Sequence, residues 1–487
     1  MATRRSPYPA LLAVALVPAL ALGGCWQFAA SRVGDDQGAA IPTTSVDASQ
    51  PLPAVTPLGT PLLSVRRTPG VLARSVNLGA FSAGAAQFAA TLGDTSCVAI
   101  SVDGRSVISS GADRVLRPAS NVKLLVAAVA LEVLGPDYTY TTSVRGALSG
   151  ATVVGDLHLV GGGDPVLNNA WWNGPNTRYP PFNSTSIEGF ADAIVAAGVG
   201  EITGSIVGDD SRYDDEWYPP TWSSAVRFGE GGPVSALLAN DSRESRDRAS
   251  NDPAIGAAAV LTAELRARGV VVAGEARRGA APDGVPVIAS VSSLPMSALL
   301  AEMLTTSDNT AAEMIVKELG VARAGVGSRE AGLEVVRSTI ASWGVPVEGL
   351  VLVDGSGLSD DNRTTCATML GVIQHLAPDD PVATGLAVAG APGGTLAEAF
   401  ADTPMIGLLR AKTGTLFNAD DGPGGRPAVK ALSGFVPLEG GGAIEFSLLL
   451  NGPTIAERAE YGPIWSALAA LFGTYLAGPS AADLGPR

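Results

Sequence analysis

The chain has 487 residues, more than a single compact core usually holds, so we expect two or three domains. Its net charge is −15 and its pI is about 4.6. Because nucleic-acid binding needs clustered Lys and Arg, we expect no nucleic acid among its partners. The histidines, His158 and His375, have no His, Cys or Glu at metal-ligand spacing. The sequence therefore predicts neither a Ser-His-Asp triad nor a metal site, and no other cofactor.

The N-terminal segment predicts export. Arg4 and Arg5 precede an apolar run over 10–22 that is too short to span a bilayer comfortably. The tetrapeptide 22–25, which ends in Cys25, resembles the cleavage box of bacterial lipoproteins. The alternative is ordinary signal-peptidase cleavage nearby. Residues 1–25 are therefore interpreted as the signal peptide of an exported cell-envelope protein, with or without a lipid anchor at Cys25.

The next segment, 26–80, is rich in Ala, Pro, Thr and Ser and has little apolar periodicity. This composition is typical of a flexible tether. We expect the folded body to begin with a β-hairpin whose strands, near 96–101 and 105–109, are joined by Asp103-Gly104. An Asp-Gly pair between apolar runs is a strong hairpin signal.

The following elements predict an α/β protein with a large insertion. A helix from Leu124 to Leu134 is apolar on nearly every side and belongs in the centre of a domain. From 141 to 290, strand-like alternation and turn residues dominate, with one amphipathic helix that a capping box at Thr185 and Glu188 would start. Later helices and strands are expected near 299–304, 310–319, 408–416, 428–436, 443–450 and 455–471.

The first candidate catalytic pair is Ser120 and Lys123, at the start of the apolar helix. Residues three apart on a helix share one face, so the two side chains should meet. A serine hydroxyl is a poor nucleophile until a base takes its proton, and a lysine amine can be that base if burial lowers its pKa. Taken alone, Ser-x-x-Lys is more often an ordinary helix start than a catalytic pair.

The second pattern is Ser307-Asp308-Asn309, in the break between two helices. Loops of this kind can point polar groups into a cleft. Ser307 could relay a proton to a leaving amine, and Asn309 could bind a substrate amide. The alternative is a capping segment for the helix that begins at Thr310, and on this pattern alone the cap is favoured.

The third pattern is Lys412-Thr413-Gly414, inside a predicted strand. A cation and a hydroxyl could hold a terminal carboxylate there, and Gly414 would let a substrate approach the backbone closely. The backbone N–H of Thr415 could join that of Ser120 in an oxyanion hole. The alternative is a solvent-facing edge strand that Lys412 protects from aggregation.

The three patterns occur in the order Ser-x-x-Lys, Ser-x-Asn, Lys-Thr-Gly, which is the set found in penicillin-binding proteins and serine β-lactamases. From about 80 to 478 the chain resembles the low-molecular-mass penicillin-binding proteins of the D-Ala-D-Ala carboxypeptidase/endopeptidase type, the penicillin-binding protein 4-like (S13) peptidases. Further stretches that carry the resemblance are 162–167, 307–313, 354–359, 393–396, 411–416 and 432–436. The long gap between Ser120 and Ser307 is also typical of this family.

The resemblance implies a fold. It is an α/β domain of the serine transpeptidase/β-lactamase type, in which an antiparallel sheet lies between helical layers. Residues 81–140 and 291–478 would form this catalytic domain. Residues 141–290 would form an inserted β-rich region of one or two smaller domains.

The resemblance also implies a mechanism on peptidoglycan stem peptides. Ser120 would attack the carbonyl of a D-Ala-D-Ala peptide with Lys123 as base, and Ser307 would pass the proton to the departing amine. β-Lactam antibiotics would acylate Ser120 covalently and leave slowly. The residues implied in substrate binding are Asn309, Lys412, Thr413, Gly414 and Thr415.

One stretch departs from the family pattern. Members often carry a basic residue after the Ser-Gly-Leu-Ser sequence, where it helps to bind a carboxylate of the stem peptide. Here Asp360 and Asp361 follow instead, and Arg363 comes later. We therefore expect the accepted stem peptide to carry an amidated or different third residue.

Other functions stay open at this level. A serine β-lactamase shares the nucleophile chemistry, but the large insertion and the lack of an obvious Glu-x-x-x-Asn deacylation element argue against it. A non-catalytic cell-wall-binding lipoprotein would not need the intact Ser120, Lys123 and Lys412. An esterase or D-amino-acid peptidase on the same fold is also compatible with the sequence.

Two cysteines remain besides Cys25, namely Cys97 and Cys366. In an oxidising compartment they could pair. They lie far apart in the sequence, however, and two free buried thiols fit it equally well.

Overall fold

The computed structural model describes residues 69–172, 174, 179–417, 427–439, 441–480 and 482–484. The interpreted signal peptide, Cys25 and most of the segment interpreted as a tether lie outside these residues. No helix within the described ranges is long and apolar enough to cross a membrane.

The secondary structure alternates between helices and strands, as the sequence predicts. The helices are α1 (Pro69–Ala90), α2 (Val122–Leu134), α3 (Ile187–Ala196), α4 (Ser224–Gly229), α5 (Pro253–Ala267), α6 (Met296–Thr306), α7 (Asn309–Ala324), α8 (Arg329–Ser342), α9 (Cys366–His375), α10 (Pro381–Thr384) and α11 (Arg458–Leu476), with single 3-10 turns at Ala119–Asn121 and Asn240–Ser242. The first strands are β1 (Ser96–Val102), β2 (Arg105–Ser110), β3 (Thr141–Arg145), β4 (Leu148–Ser149), β5 (Thr152–Val153), β6 (Leu157–Val160), β7 (Leu167–Asn168), β8 (Thr185–Ser186), β9 (Glu201–Ile202) and β10 (Ile206–Asp209). The remaining strands are β11 (Arg243–Ser245), β12 (Arg248–Ala249), β13 (Val271–Val272), β14 (Arg277–Arg278), β15 (Val287–Ser292), β16 (Ala387–Val388), β17 (Arg410–Leu416), β18 (Ala428–Pro437) and β19 (Ala443–Gly452).

The central sheet joins the two ends of the described chain. Its strand order is β16-β17-β18-β19-β1-β2, and every neighbouring pair in it is antiparallel. The predicted hairpin of β1 and β2 is confirmed, and its turn uses positive φ angles at Asp103 and Gly104. Strand β1 then pairs with β19, so that Val98 lies opposite Leu448. Three consecutive late strands and an early hairpin therefore form one sheet.

Helices cover both faces of this sheet, because alternate residues of a strand point to opposite sides. Val98 and Ile100 of β1 belong to a core cluster that also contains Phe81 of α1 and Phe472 of α11. The intervening Cys97 and Ala99 pack instead with the start of α9 in a separate core cluster. An antiparallel sheet between helical layers was predicted, and the structure confirms it.

The open question about the cysteines has a definite answer in this structure. Cys97 of β1 and Cys366, the first residue of α9, form a disulfide with a Cα–Cα separation of 6.0 Å. Their sequence separation is 269 residues, and only the fold brings them together.

The tether interpretation is wrong from Pro69 onward, because α1 begins there rather than near residue 80. Phe81, Ala85 and Phe88 follow at helical spacing and are buried. The ring of Phe81 lies 5.3 Å from that of Tyr475 on α11. Alanine is the best helix former, so an Ala-rich segment that resembles a linker becomes a helix once an apolar partner covers it.

Helix α2 is the centre of the all-helical layer, as its apolar composition predicts. Leu124 and Leu125 are fully buried, in a core cluster shared with residues such as Met303 of α6, Ile315 of α7 and Val336 of α8. The first turns of α2 are therefore held in place by packing against α6, α7 and α8.

Residues 141–290, interpreted from the sequence as an inserted β-rich region, contain short strands but also the helices α3, α4 and α5. One sheet has the order β14-β10-β6-β3-β15 and another the order β13-β9-β5-β4, with several parallel pairs. Helix α5, which the sequence interpretation missed, begins at Pro253 after Asp252, whose side chain accepts a hydrogen bond from Ile255 N–H. The predicted capping box is wrong by one residue, because the N-cap of α3 is Ser186 rather than Thr185.

Candidate active site

Ser120 lies on the 3-10 turn that leads into α2. The preceding residue, Ala119, has a positive φ of 49°, and a loop residue, Gly357, packs directly on it. A Cβ at Gly357 would lie 2.0 Å from the Ala119 carbonyl oxygen. On the other side, Asn121 Nδ2 donates a hydrogen bond of 2.8 Å to Ser433 Oγ of β18. The Ser120 turn is thus clamped between a loop and the central sheet.

Lys123 lies below Ser120 on the same face of the helix start, as predicted. Its Nζ donates hydrogen bonds to Ser120 Oγ at 3.1 Å, to Asn309 Oδ1 at 2.7 Å and to the carbonyl oxygen of Ser356. The side chain is fully buried. The amine therefore contacts a residue of each of the first two sequence patterns, Ser120 and Asn309.

The electrostatic surroundings of Lys123 suit a base. Burial disfavours the charged amine and lowers its pKa to about 8. The carboxylates of Asp354 and Glu313 oppose this shift because they favour the ammonium. The result is a buried amine whose pKa lies near neutral pH, so a useful fraction is uncharged and able to take a proton from Ser120.

A buried carboxylate holds the loop that contacts Lys123. Glu313 Oε1 of α7 accepts hydrogen bonds from the N–H groups of Gly355 at 2.8 Å and Ser356 at 2.7 Å. Its other oxygen accepts from Arg329 Nε at 3.2 Å. Burial is the largest cause that raises the pKa of this carboxyl, with the nearby Asp354 adding to it. Glu313 therefore fixes the carbonyl of Ser356 against Lys123.

Asp354 supports the same loop and ties it to the inserted region. Its carboxylate accepts from the N–H groups of Gly357 and Ser359, and Trp222 Nε1 donates to it at 2.8 Å. The sequence interpretation assigned no role to Glu313 or Asp354, although both lie in stretches that carry the family resemblance. Their function depends on contacts between distant segments, which the local pattern does not reveal.

The Ser307-Asp308-Asn309 segment both caps a helix and faces the site. Asp308 caps α7 by accepting a hydrogen bond of 2.9 Å from Ala311 N–H, so the capping interpretation is right for this residue. Ser307 has a left-handed φ of 68°, which turns the chain between α6 and α7. Asn309 donates from Nδ2 to the Glu230 carbonyl at 2.7 Å while its Oδ1 receives Lys123.

Lys412 of β17 is fully buried, so the interpretation of its side chain as a solvent-facing guard against aggregation is wrong. Its Nζ donates to Ser307 Oγ at 2.9 Å and to the Thr413 carbonyl at 2.8 Å. Burial lowers its pKa well below the usual lysine value, and the cations Lys123 and Lys430 lower it further. An anion bound beside this amine would favour its charged form and offset the effect of burial.

Strand β17 runs close to the Ser120 turn because it has a glycine there. A Cβ at Gly414 would lie 2.6 Å from the Pro118 carbonyl oxygen. Strand β16 pairs with β17 only as far as Ala411, so the next part of β17 is left with an edge. Thr413 and Thr415 line the cleft on this part of the strand.

The cleft has a volume of about 1840 Å³, enough for an extended peptide. Of the predicted site residues, those that line it are Ser120, Ser307, Asn309, Thr413 and Thr415. The amines of Lys123 and Lys412 lie behind them, hydrogen-bonded to lining hydroxyls. Trp172, Tyr218 and Trp222, from the segment 141–290, also line the cleft. The structure thus brings all the predicted site residues into one place.

Asp360, which follows the Ser-Gly-Leu-Ser sequence where the resemblance implied a basic residue, also lines this cleft. Its carboxylate forms an ion pair with Arg117, a buried side chain that also donates to the Pro427 carbonyl. Arg363 does not replace the missing cation, because it folds back on its own loop and donates to the carbonyl of Asp360.

Histidine is not among the described residues that line the cleft. His158 lies on β6 of the inserted region, and His375 stacks on Trp343 with a centroid distance of 3.9 Å. Within the described ranges, no three His, Cys, Asp or Glu side chains are grouped so that they could hold a metal ion.

Known proteins are similar to this chain in both sequence and fold. The sequence matches the D-Ala-D-Ala carboxypeptidase 3 (S13) family over residues 85–246 and 236–471. A D-alanyl-D-alanine carboxypeptidase of Actinomadura sp. (strain R39) is 29% identical over 433 residues, which cover 72% of this chain and 76% of that protein. Carboxypeptidase DacB of Mycolicibacterium smegmatis is 32% identical over 367 residues, which cover 72% of this chain and 75% of that protein.

Solved structures agree at the level of the fold. Penicillin binding protein 4 (dacB) of Haemophilus influenzae superimposes with a TM-score of 0.66 at 18% identity, covering 80% of this chain and 99% of that chain. The same protein in complex with a β-lactam gives a TM-score of 0.59 at 19% identity. With a family match over most of its length, this chain belongs to the D-Ala-D-Ala carboxypeptidase 3 (S13) family.

Proposed function

We propose that this protein is a serine D-alanyl-D-alanine carboxypeptidase of the cell wall, which cleaves peptidoglycan stem peptides through an acyl-enzyme on Ser120. The observation that carries the proposal is the contact of 3.1 Å between Lys123 Nζ and Ser120 Oγ. In this contact a buried amine with a pKa of about 8 touches a hydroxyl that lines a peptide-sized cleft. Such a pair is an activated nucleophile with its base.

Acylation needs a proton acceptor and a site for the oxyanion. Neutral Lys123 takes the Ser120 proton as Oγ attacks the carbonyl carbon of the penultimate D-Ala. The carbonyl electron pair moves onto oxygen, where the backbone N–H groups of Ser120 and Thr415 would stabilise it. Collapse of this intermediate breaks the peptide bond, and the acyl group stays on Ser120.

The departing D-Ala amine must receive a proton. Ser307 Oγ, which accepts a hydrogen bond from Lys412, would donate its own proton to that amine and would be reprotonated from the Lys123 ammonium. Water then attacks the acyl-enzyme, Lys123 takes the water proton, and Ser120 is released with its own proton restored. Each proton taken from a nucleophile is returned to a leaving group, so the cycle is balanced.

Substrate binding rests on the strand edge and the loop. Lys412, Thr413 and Thr415 would hold the terminal carboxylate, because a cation with two hydroxyls forms charge-assisted hydrogen bonds to such a group. Asn309 would bind a backbone amide of the stem peptide. An extended peptide lying beside Gly414 would also continue the sheet at the edge of β17.

β-Lactam antibiotics would acylate Ser120 by the same route. Attack on the strained ring carbonyl breaks the ring amide, but the amine stays attached to the acyl group and cannot diffuse away. It blocks the approach of water, so the acyl-enzyme persists. We expect stable labelling of the protein by penicillins rather than their rapid hydrolysis.

The site of action follows from the substrate. Peptidoglycan lies outside the cytoplasmic membrane, so the folded body should act there. The export signal interpreted in 1–25 would deliver it, and lipidation of Cys25 would anchor it. Labelling of cells with a fatty-acid analogue, beside a Cys25→Ser variant, tests the anchor: label on the parent alone supports it, and label on neither contradicts it.

The proposed activity is tested with purified muropeptides. Release of D-Ala from a pentapeptide by the parent protein, and none by Ser120→Ala, is the expected result. Cleavage of a cross-linked dimer in the same assay would add endopeptidase activity to the same cleft. A parent protein that releases nothing from either substrate would contradict the proposal.

A further inference from the structure

Lys430 is a cation in the cleft that the mechanism above does not use. It lies on β18 directly opposite Thr415 of β17, and both side chains line the cleft together with Ser120. Its Nζ donates a hydrogen bond of 3.0 Å to Thr415 Oγ1. Side chains directly opposite on neighbouring antiparallel strands commonly interact in this way.

This hydrogen bond has a fixed direction. A lysine ammonium has three donors and no acceptor, whereas a threonine hydroxyl has one donor and can accept twice. Oγ1 of Thr415 must therefore be the acceptor from Lys430. Its own O–H proton is directed away from Nζ and stays available to a group in the cleft. In this state Thr415 presents a donor, which suits a carboxylate oxygen.

An aromatic platform holds Lys430 in place. Its Nζ lies 4.3 Å from the ring centroid of Tyr461 and 5.1 Å from that of Trp465, distances at which a cation is attracted to an aromatic face. Trp465 is 5% exposed and stacks on Phe400 with a centroid distance of 5.6 Å. The platform is therefore part of the core, and the ammonium position above it is restricted.

Lys430 also contributes to the positive charge of the subsite. After burial and the Lys123 cation, it is the next cause that lowers the pKa of Lys412. An incoming carboxylate relieves this repulsion between cations, whereas a neutral terminal amide does not. The two effects of Lys430, on the hydroxyl direction and on the charge, favour the same ligand.

We infer that Lys430 is a positioning residue which turns the Thr415 hydroxyl toward the terminal carboxylate of the substrate and so selects peptides with a free C-terminus. The inference rests on the proposed carboxypeptidase function. It identifies the residue that orients the Thr415 hydroxyl, one of the groups proposed to bind the substrate carboxylate. Thr415 contacts the substrate, and Lys430 acts through it.

The test uses the full chain and two peptides that differ only in a free or an amidated terminal D-Ala. Lys430→Met is expected to raise KM for the free-acid peptide about tenfold, the usual cost of one charge-assisted hydrogen bond. Its kcat should stay within about twofold of the parent, and its kinetics on the amide should not change. Lys430→Arg should restore KM, because it keeps a cation and its donors.

Two further variants distinguish a role through Thr415 from a non-specific effect of positive charge in the cleft. In a Thr415→Val background, Lys430→Met should raise KM much less than it does in the parent protein, since most of its effect passes through the Thr415 hydroxyl. Arg458→Met removes another cleft-lining cation, one that forms no hydrogen bond to Thr415 among the described contacts, and should leave the preference for the free acid intact.

Each outcome is decisive. An equal loss of kcat/KM on both peptides, or no loss on either, would overturn the role of Lys430, and so would an additive loss in the double variant. If the parent cleaves neither peptide, the proposed function fails and the inference falls with it. Unchanged unfolding temperatures of the variants would show that altered kinetics do not come from misfolding.

Discussion

Two buried lysines share this site, and their surroundings differ. Lys123 lies among acceptors, with Ser120, Asn309 and the Ser356 carbonyl all hydrogen-bonded to it. Carboxylates nearby partly offset the burial, and its pKa is lowered to about 8. Lys412 has the lysines Lys123 and Lys430 as its electrostatic neighbours, and both add to the effect of burial in lowering its pKa well below the usual lysine value.

The different surroundings suit the two lysines to different tasks in one cleft. An amine with partial support from anions changes its protonation state near neutral pH and can act as a base. An amine that lacks nearby anions is stabilised in its charged form when an anionic ligand binds beside it. We therefore propose that Lys123 transfers protons and that Lys412 binds the substrate carboxylate, and the following predictions test this division of roles.

The largest effect is expected at Lys123. Lys123→Met should lower the rate of Ser120 acylation by penicillin about 10³-fold, since a general base contributes about that factor. A matched control is Lys317→Met, which removes another buried lysine, one that pairs with Asp214 outside the cleft. The control should keep the parent acylation rate. Equal losses in both variants would indicate general damage and break the assignment.

The next effect is expected at Lys412. Lys412→Met should reduce the rate of acylation by benzylpenicillin about 10²-fold, because loss of one partner of a buried ion pair costs about 2–5 kcal/mol. Acylation by benzylpenicillin methyl ester, which lacks the carboxylate, should change far less. A similar loss with the acid and the ester would place Lys412 in proton transfer rather than in carboxylate binding.

The pH dependence gives a smaller but sharper test. A group with a pKa of about 8 goes from about one tenth neutral at pH 7 to about nine tenths neutral at pH 9. The acylation rate should therefore rise about tenfold over this range, since the neutral amine is the base. Time courses of fluorescent penicillin labelling measure it. A rate that is flat or falls with pH would mean that Lys123 is not the base.

The smallest effect concerns protons taken up on binding. A substrate carboxylate beside Lys412 favours the ammonium and raises its pKa, so binding should draw a fraction of a proton from the buffer. Calorimetry of Ser120→Ala with a D-Ala-D-Ala peptide, at pH 8 in buffers of different ionisation enthalpy, measures the uptake. Proton release in its place would show that the anion is bound elsewhere.

The reactive residues could be predicted because each sequence pattern is local. Ser120 and Lys123 share a helix face by spacing alone, and Lys412 and Thr413 are neighbours on one strand. That the three patterns meet was an inference from their order and the family resemblance rather than from any single pattern. The structure places them together, and their catalytic roles stay predictions.

The supporting residues could not be predicted from local patterns. Glu313 reaches a loop some forty residues away, with which it forms hydrogen bonds through Gly355 and Ser356. Lys430 gains its position from Tyr461 and Trp465 on the last helix. Each of these contacts exists only after the chain has folded, and no spacing in the sequence marks it.

The same reason accounts for the differences in the fold. The composition of helix α1 resembles that of a linker. The helix is stable because it packs against α11 near the C-terminus. Helix α5 is rich in alanine and has no strong apolar period, yet Ala254, Ala257 and Leu261 are buried in the core of the inserted region. Tertiary burial decides such segments, whereas propensity and pattern leave them ambiguous.

The most direct test of the central claim is the mass of the intact protein after exposure to benzylpenicillin, followed by peptide mapping. The account predicts one added benzylpenicilloyl group, located on Ser120, that is absent from Ser120→Ala and persists after the free drug is removed. An adduct on another residue, or none on the parent protein, would contradict the assignment of Ser120 as the nucleophile.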